Sequence, residues 1–303
     1  MAADGTARMI RRPQIALLAD GRRLHLQDGP IDLIIGADGT EVDIRAAYQA
    51  AAARFTGVLD ELCAELAELR KPADPAQSVL QGVIARRMYQ AVAPLAAKAF
   101  ITPMAAVAGA VAEDILAAML AAAPLSRAYV NNGGDIALHL AGSATFTVGL
   151  MDRPDSQGLL RTMTVHANDS VCGVATSGRH GRSFSLGIAD AVTVLARTAA
   201  QADAAATIIA NAVDLPGHPA IIRRPADELQ PESDLGDRLV TSWVGDLHAA
   251  DVADALAAGE ARGRQLLGMG LIEGAVLQLR GEMRIVGARQ LDIARAQLPA
   301  AAA

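Results

Sequence analysis

Hydrophobic and polar residues follow two different periods along this chain, and the two periods predict separate groups of strands and helices. Short segments of alternating or β-branched apolar residues end at Gly, Pro or Asp-Gly turns, a pattern typical of strands. The predicted strands are 14–18, 23–26, 31–35, 127–131, 135–140, 145–150, 160–165, 171–176, 192–195, 218–223, 275–279 and 283–286. Many of them follow one another through short turns, which favours antiparallel pairing.

Longer segments carry apolar residues at helical spacing. The predicted helices are 44–70 with Asp43 as its cap, a second helix that ends near 92, 104–120, an Ala-rich helix after strand 192–195, and 249–267. Residues 224–238, rich in Pro, Asp and Glu, are predicted to form a loop. Because strands and helices are segregated, the pattern predicts an α+β fold.

Composition narrows the class of protein. With 303 residues, 52% of them hydrophobic, the chain is long enough for one large domain or two moderate ones. Its net charge of −6 is spread along the chain, which argues against a nucleic-acid surface. The two cysteines form neither a disulfide framework nor a zinc site, and Cys63 is predicted to be a small core residue.

Localisation is predicted from the apolar runs. The N-terminus lacks an apolar segment of signal-peptide length, and runs such as 104–111 are too short to span a bilayer. The sequence therefore predicts a cytoplasmic protein with no membrane partner. Residues 1–290 are predicted to form one domain, and the Ala-rich tail 291–303 to be disordered or a weak helix.

The Ala-rich helix carries the first candidate chemistry. Asp203 and Thr207 stand four residues apart and therefore share one face of an otherwise apolar helix. A buried carboxylate and hydroxyl need a partner, and Mg²⁺ takes oxygen ligands. A capped or solvated helix face is the alternative.

Three other segments could contribute to a ligand site. The helix start 105–110 has almost no side-chain bulk, which allows either close approach of a phosphate or close helix packing. In N-N-G-G-D, 131–135, the glycines permit positive φ beside a carboxylate, although N-G is also a plain turn signal. The loop 175–185, A-T-S-G-R-H-G-R-S-F-S, could bind an anion or form a surface turn.

Several common nucleotide and hydrolase signatures are missing. The sequence contains no G-x-G-x-x-G after a strand, no Walker loop and no G-x-S-x-G elbow.

Taken in order, four segments resemble the FAD:protein FMN transferase family, the ApbE-like proteins. The G-G-I-A-K-G-Y-A-x-D helix start of that family matches A-A-V-A-G-A-V-A-E-D at 105–114. Its G-G-D turn matches 133–135, and its T-S-G loop matches 176–178. Its V-T-V strand and A-D-x-x-x-T helix match 192–194 and 202–207. The chain is most similar to an uncharacterised short branch of the superfamily.

The resemblance implies a fold of antiparallel sheets with covering helices in two intertwined halves, related to the T-fold. It also implies Mg²⁺ at Asp203 and Thr207, with FAD or a related flavin nucleotide held by the helix start and the two loops. The implied cofactor-binding residues are Ala105, Ala106, Gly109, Asp114, Asn132, Gly133, Gly134, Asp135, Thr176, Ser177, Gly178 and Ser183. His180 and Ser177 are the catalytic candidates; His180 is a candidate acid or base because imidazole titrates near neutrality.

In that family the metal assists cleavage of the FAD pyrophosphate, and FMN passes to a Thr or Ser of an acceptor protein. This sequence departs from the pattern at four places. Gly109 stands where the family has lysine, and His180 where it has tyrosine. An H-x-x-D-P-x-T-G segment is missing, and the N-terminal M-G-T region of the family has no clear counterpart.

The expectation is thus a Mg²⁺-dependent flavin-nucleotide enzyme with an unidentified acceptor protein. Two alternatives are a non-catalytic flavin or nucleotide carrier and an enzyme that reuses the pocket for a small metabolite. A homodimer is also expected, from the Ala-rich helices.

Overall fold

A computed structural model describes residues 13–151, 159–287 and 292–295. Its main feature is a nine-stranded sheet. The strands are β1 Gln14–Leu17, β2 Leu24–Asp28, β3 Ile31–Asp38, β4 Arg127–Asn132, β5 Asp135–Leu140, β8 Gly173–Ser177, β9 Ala191–Ala196, β12 Gly274–Leu279 and β13 Glu282–Val286. Their order in the sheet is β1-β2-β3-β4-β5-β8-β9-β12-β13. Every neighbouring pair in this sheet is antiparallel.

Two smaller sheets complete the β structure of the described residues. One consists of β6 Thr145–Met151, β7 Leu159–His166 and β14 Asp292–Arg295, in the order β14-β7-β6. The other pairs β10 Ile221–Pro225 with β11 Leu239–Val244. The first residues of the predicted Ala-rich tail therefore form a strand, and the rest of that tail lies outside the described residues.

The helices are α1 Glu41–Phe55, α2 Val58–Ala64, α3 Leu66–Leu69, α4 Val83–Ala96, α5 Val107–Ala122, α6 Ala199–Ala212, α7 Ala226–Leu229 and α8 Ala249–Gly268. A 3-10 turn, Pro103–Ala106, leads directly into α5. The longer helices pack on one face of the nine-stranded sheet, where the larger core cluster lies. A smaller cluster lies between the opposite face and the three-stranded sheet. The predicted α+β class with antiparallel sheets is confirmed.

Several local predictions were wrong. The expected helix 44–70 is three helices. Thr56 is extended and Gly57 has a positive φ of 95°, which separates α1 from α2, and the non-helical Glu65 separates α2 from α3. Thr40, not Asp43, caps α1, and Pro94 lies inside α4. Cys63 is exposed, since it lies on the outer side of α2 while its neighbour Leu62 is buried. The expected loop 224–238 contains α7, and the following strand β11 was missed.

Among the residues that the structure describes, one helix meets the length and composition expected of a membrane span. The segment Pro103–Ala122 has a mean hydropathy of 1.7, and half of it is buried. It packs against α1, α4 and α6 and against strands β4 and β5. These contacts are those of a core helix, and they explain why an almost uniformly apolar helix is stable here.

The starts of α5 and α6 cross at very short range. A Cβ on Gly109 would lie 2.3 Å from the carbonyl oxygen of Ala199, and one on Gly173 would lie 2.3 Å from the backbone of Thr198. Only glycine fits at either position without moving backbone. The close crossing also excludes a lysine side chain at position 109.

Gly109→Ala is expected to lower the free energy of unfolding by about 1–3 kcal/mol, the usual cost of overpacking a core. Gly268→Ala is the matched control, because its Cβ would meet nothing within 4 Å. That change is expected to be neutral or stabilising by up to about 1 kcal/mol, the helix preference for Ala. Urea unfolding of both variants checks this, and a Gly109→Ala protein as stable as the parent would contradict it.

Candidate functional site

Asp203 projects from the second turn of α6 to the beginning of α5. Its Oδ2 accepts a hydrogen bond from the amide of Gly109 at 3.0 Å, and the amide of Ala108 also bonds to this carboxyl group. Ala106, the residue before α5, makes no side-chain cap of its own. Asp203 therefore satisfies two of the free amides at the start of α5 from a different helix.

The β4–β5 turn brings a second carboxyl group to the same face of the sheet. Asn132 and Asp135 are cross-strand partners, and residue alternation places both on the helix-covered face, as it places Val130 and Ala137. The Asn132 Nδ2 donates to the carbonyl oxygen of Ala108 at 3.2 Å. Its buried Oδ1 has no hydrogen-bond partner among the described residues.

The two carboxyl groups are close enough to influence each other's ionisation. Loss of hydration raises the pKa of Asp135 to about 7, against the opposing effects of the Thr176 amide and the Arg182 charge. Loss of hydration also raises the pKa of Asp203 well above its ordinary value, and the negative charge of Asp135 raises it further. Two carboxyl groups that resist ionisation and lie within electrostatic range of each other are typical of a cation or proton site.

The loop after β8 closes over the β4–β5 turn. Thr176 donates its backbone N–H to Asp135 Oδ1 at 3.3 Å. A Cβ on Gly133 would lie 1.8 Å from Nη2 of Arg182, and Gly133 has a φ of 67°. The exposed Arg182 guanidinium therefore lies directly on the turn and brings a positive charge near Asp135.

His180 lies beside a buried acid that the sequence had not singled out. Asp190 accepts two hydrogen bonds from Arg179, at 2.9 and 2.6 Å, and its Oδ1 lies 3.3 Å from His180 Nε2. The backbone amide of Arg280 donates to Oδ2 of the same carboxylate at 2.5 Å. Asp190 therefore fixes the loop and places a carboxylate within ion-pair distance of the imidazole. A lone acid between apolar residues in I-A-D-A-V-T-V was the available signal.

Four further candidates contribute differently. The Thr176 hydroxyl bonds that of Thr193 at 2.9 Å, on the face away from the helices, so only its backbone amide reaches Asp135. Ser177, the last residue of β8, lies half-buried on the helix-covered face. Ser183 is exposed on the loop, and Gly178 is buried, with no room for a Cβ beside the carbonyl oxygen of Asp190.

The candidate residues on α6 and before α5 are buried or half-buried. Thr207 is half-buried one turn after Asp203, on the same face of α6. Ala106 is buried and Ala105 half-buried in the 3-10 turn before α5. Gly134 donates its amide to Asn131 Oδ1 at 2.8 Å, which shapes the turn.

Asp114 has other partners. It is 6% exposed, and its carboxylate pairs with Nε of Arg54 at 2.6 Å and Nη2 of Arg87 at 3.5 Å. Arg54 also pairs with Glu61, and Arg87 with Glu113. The structure thus places Asp114 in an ion-pair cluster between α1, α4 and α5, and does not bring it together with Asp135 and Asp203.

Across the described ranges, no group of three or more His, Cys, Asp or Glu side chains is arranged to hold a metal ion. Two carboxylates completed by neutral oxygens remain the available donor set. Asn132 Oδ1, Thr207 Oγ1 and backbone carbonyls are oxygens of the kind that Mg²⁺ accepts. The unpartnered Asn132 oxygen beside two carboxyl groups fits such an ion.

Comparison with known proteins identifies the family. The family model described as "AbpE bacteria" matches residues 15–285, which is most of the chain. The chain belongs to this family. The resemblance drawn from the four sequence segments is confirmed.

Relatives in other organisms match part of the chain. The UPF0280 protein MK0206 of Methanopyrus kandleri is 39% identical over 129 residues, 42% of this chain and 48% of that protein. The UPF0280 protein of Methanothrix thermoacetophila is 40% identical over 114 residues, 37% of this chain and 46% of that protein. The matched region spans about half the length of these relatives.

Among solved structures, the apo form of the Pseudomonas stutzeri flavinyl transferase ApbE aligns with 93% of this chain and 96% of its own. The sequence identity is 11% and the TM-score 0.44. Membership of the family therefore rests on the family model.

In metal-free buffer, the free energy of unfolding is expected to fall as the pH rises from about 4 to about 7. Folded Asp135 keeps its proton up to about pH 7, whereas its ordinary pKa is 3.8, so the unfolded chain binds fewer protons within this window. Asp203, with its pKa raised in the same direction, adds to the slope.

Urea unfolding across this pH range measures the slope. Asp135→Asn removes one of the two groups and is expected to flatten the profile, while Asp254→Asn, an exposed helical acid, leaves it unchanged. An Asp135→Asn profile as steep as that of the parent would contradict the assignment.

Proposed function

We propose that this chain binds Mg²⁺ together with a flavin nucleotide of the FAD type and acts on the pyrophosphate of that nucleotide. The observation that supports this proposal best is the meeting of Asp135 and Asp203, both with raised pKa values, beside the unpartnered oxygen of Asn132. Membership of the family supports the flavin part of the proposal.

In this proposal Asp203, Asp135 and Thr207 hold the cation, with Asn132 as a further oxygen donor. The cation would supply neutralisation of the charge that develops on phosphate oxygens during phosphoryl transfer. The small residues 105–109 let a nucleotide approach the start of α5, where Asp203 already holds the amides of 108 and 109. The ligand would thus meet side-chain oxygens and loop groups rather than those two amides.

The loop after β8, which lies over the β4–β5 turn, supplies the remaining side chains of the proposed site. Arg182 lies on Gly133 and can pair with a phosphate oxygen, since a guanidinium binds phosphate well. Ser177 lies half-buried on the site face of the sheet and can donate a hydroxyl hydrogen bond. His180, whose Nε2 lies 3.3 Å from Asp190 Oδ1, is in this proposal the group that moves a proton.

Incubation of the purified protein with FAD and Mg²⁺ tests this function. Release of AMP that requires Mg²⁺ and is lost in Asp203→Asn is the expected result. The exposed-acid variant Asp254→Asn should release AMP at the parental rate. An absence of both FAD binding and AMP release would overturn the proposal.

A second candidate function is a flavin or nucleotide carrier without catalysis. The close crossing at Gly109 favours it, because that position has no space for the lysine of the family pattern. Tight FAD binding, seen by equilibrium dialysis, with no AMP release over many hours would support the carrier and exclude hydrolysis of FAD by this chain.

A further inference from the structure

A separate cavity lies on the other face of the nine-stranded sheet. It has a volume of about 240 Å³, and its lining includes charged side chains of the β1–β2 turn and of strands β3 and β4, together with the rings of Tyr129 and Phe146. Gly36 and Tyr129 are cross-strand partners of β3 and β4, and both alternate with residues that face the helices. The cavity therefore opens under the β1–β2 turn and the end of β6, away from Asp135 and Asp203.

Aromatic rings form one wall of this cavity. Tyr129 and Phe146 meet edge to face, with ring centroids 5.8 Å apart and planes at 86°. A Cβ on Gly36 would lie 2.4 Å from Cε1 of Tyr129, so the ring lies directly on the backbone of β3. Any other residue at 36 would displace the ring, because only the absence of a side chain leaves that space.

Two arginines at the rim are held in place by other groups. Arg127 bonds Asp38 Oδ2 through Nε at 2.7 Å and the carbonyl oxygen of Thr145 through Nη1 at 3.1 Å. Its guanidinium carbon also lies 5.0 Å from the centre of the Phe146 ring. Arg23 bonds Asp20 through Nε at 2.5 Å.

The charges at the cavity are unbalanced. Three arginines, Arg22, Arg23 and Arg127, face two carboxylates, so the lining carries one excess positive charge. The side chains of the two ion pairs remain 34–49% exposed. Exposed ion pairs contribute little to the free energy of folding. A contribution to stability therefore does not explain why five charged side chains line a cavity with an aromatic wall. Guanidinium groups that are fixed in position next to aromatic rings are instead suited to bind a planar anion.

We propose that this cavity is a second ligand site, which binds a small planar anion that carries one aromatic or heteroaromatic ring and one phosphate or carboxylate group. The volume is below the range of drug-sized sites, which limits the ligand to about one ring. The ring would pack against the side chains of Tyr129 and Phe146, and the acidic group would contact Arg22 near the positive charge of Arg127. This site does not depend on the flavin function proposed above.

Calorimetric titration of the full chain in EDTA, with phenyl phosphate and benzoate as probes, tests the proposal. Binding of either probe at least tenfold tighter than that of inorganic phosphate or of benzylamine is expected, because both ring and negative charge contribute. Binding of benzylamine as tight as that of phenyl phosphate, or no binding of either acid, would overturn the site.

Variants locate the binding. Arg22→Gln is expected to lower the affinity for phenyl phosphate at least fivefold. The change leaves in place the backbone oxygen of residue 22, which accepts a hydrogen bond from the Tyr48 hydroxyl. Tyr129→Leu should lower the affinity for phenyl phosphate but not the affinity for inorganic phosphate. Arg264→Gln, an exposed arginine of α8, and Asp203→Asn should both leave the affinity unchanged. Unchanged affinity in Arg22→Gln and Tyr129→Leu together, or a loss in Asp203→Asn, would place the probe elsewhere and refute the proposal.

Discussion

Asp203→Asn is expected to lower the affinity of the chain for Mg²⁺ or Mn²⁺ by at least about 100-fold, the upper loss seen when groups around a metal ligand are removed. The carboxylate lies between the amides at the start of α5 and the second carboxyl group at Asp135. Asn keeps an oxygen that can accept those amides but removes the negative charge that attracts the cation. In this variant the metal affinity should therefore fall while the fold is retained.

Mn²⁺ titration, read by electron paramagnetic resonance or calorimetry, measures the affinity, and thermal unfolding reports the fold. Asp254→Asn removes a carboxylate from an exposed position of α8 and should bind metal like the parent. Thr207→Val should cause a smaller loss, because it removes a neutral oxygen only.

A purely structural role for Asp203 makes different predictions. If Asp203 serves only to cap α5, Asp203→Ala would destabilise the fold by about 1 kcal/mol, the usual cost of losing a cap, and the parent would bind no metal. Metal affinity that is equal in the parent and in Asp203→Asn would contradict the metal site and support the cap.

Asp114→Asn is expected to lower the free energy of unfolding by about 3 kcal/mol, as removal of one partner from a buried ion pair does. The carboxylate is 7% exposed and lies between Arg54 and Arg87, which are each 27% exposed. Both arginines keep a second acid, Glu61 or Glu113, which places the loss at the low end of the range.

Urea unfolding measures this loss. Glu41→Gln, which breaks the exposed pair with Arg45, is the control and should change stability by less than about 0.5 kcal/mol. At a temperature where both variants are folded, affinity for FAD and Mg²⁺ should equal that of the parent. A stable Asp114→Asn protein that has lost FAD binding would instead support the ligand contact that the resemblance implies.

The pattern of residues predicted most strands to within a few positions, because alternation and turn residues are local properties. β9, for example, was expected at 192–195 and spans Ala191–Ala196. The breaks within the first long helix were missed because apolar spacing continues across Thr56, Gly57 and Glu65, whose backbone angles interrupt the helix. β11 was missed because its residues follow a polar segment, and because its exposed Trp243 and Leu239 do not follow a buried alternation.

The candidate site shows the same division between local and long-range information. The motifs at 105–110, 131–135, 175–185 and 202–207 were visible in the sequence, and the resemblance implied that they meet. Neither spacing nor composition showed that Asp190 lies beside His180 or that Asp114 pairs with two arginines. Those contacts join residues on different elements, so no local pattern records them.

By itself the sequence determined the α+β class, the antiparallel strands and the family, since these follow from short-range periodicity and ordered motifs. Only the tertiary structure decided which acids come near one another. The crossing of α5 and α6 at Gly109, with β5 beside β8, sets Asp203 and Asp135 close together and removes part of the hydration of both. Ionisation, and with it the chemistry of a carboxylate, depends on such neighbours and on hydration, which are properties of the folded chain.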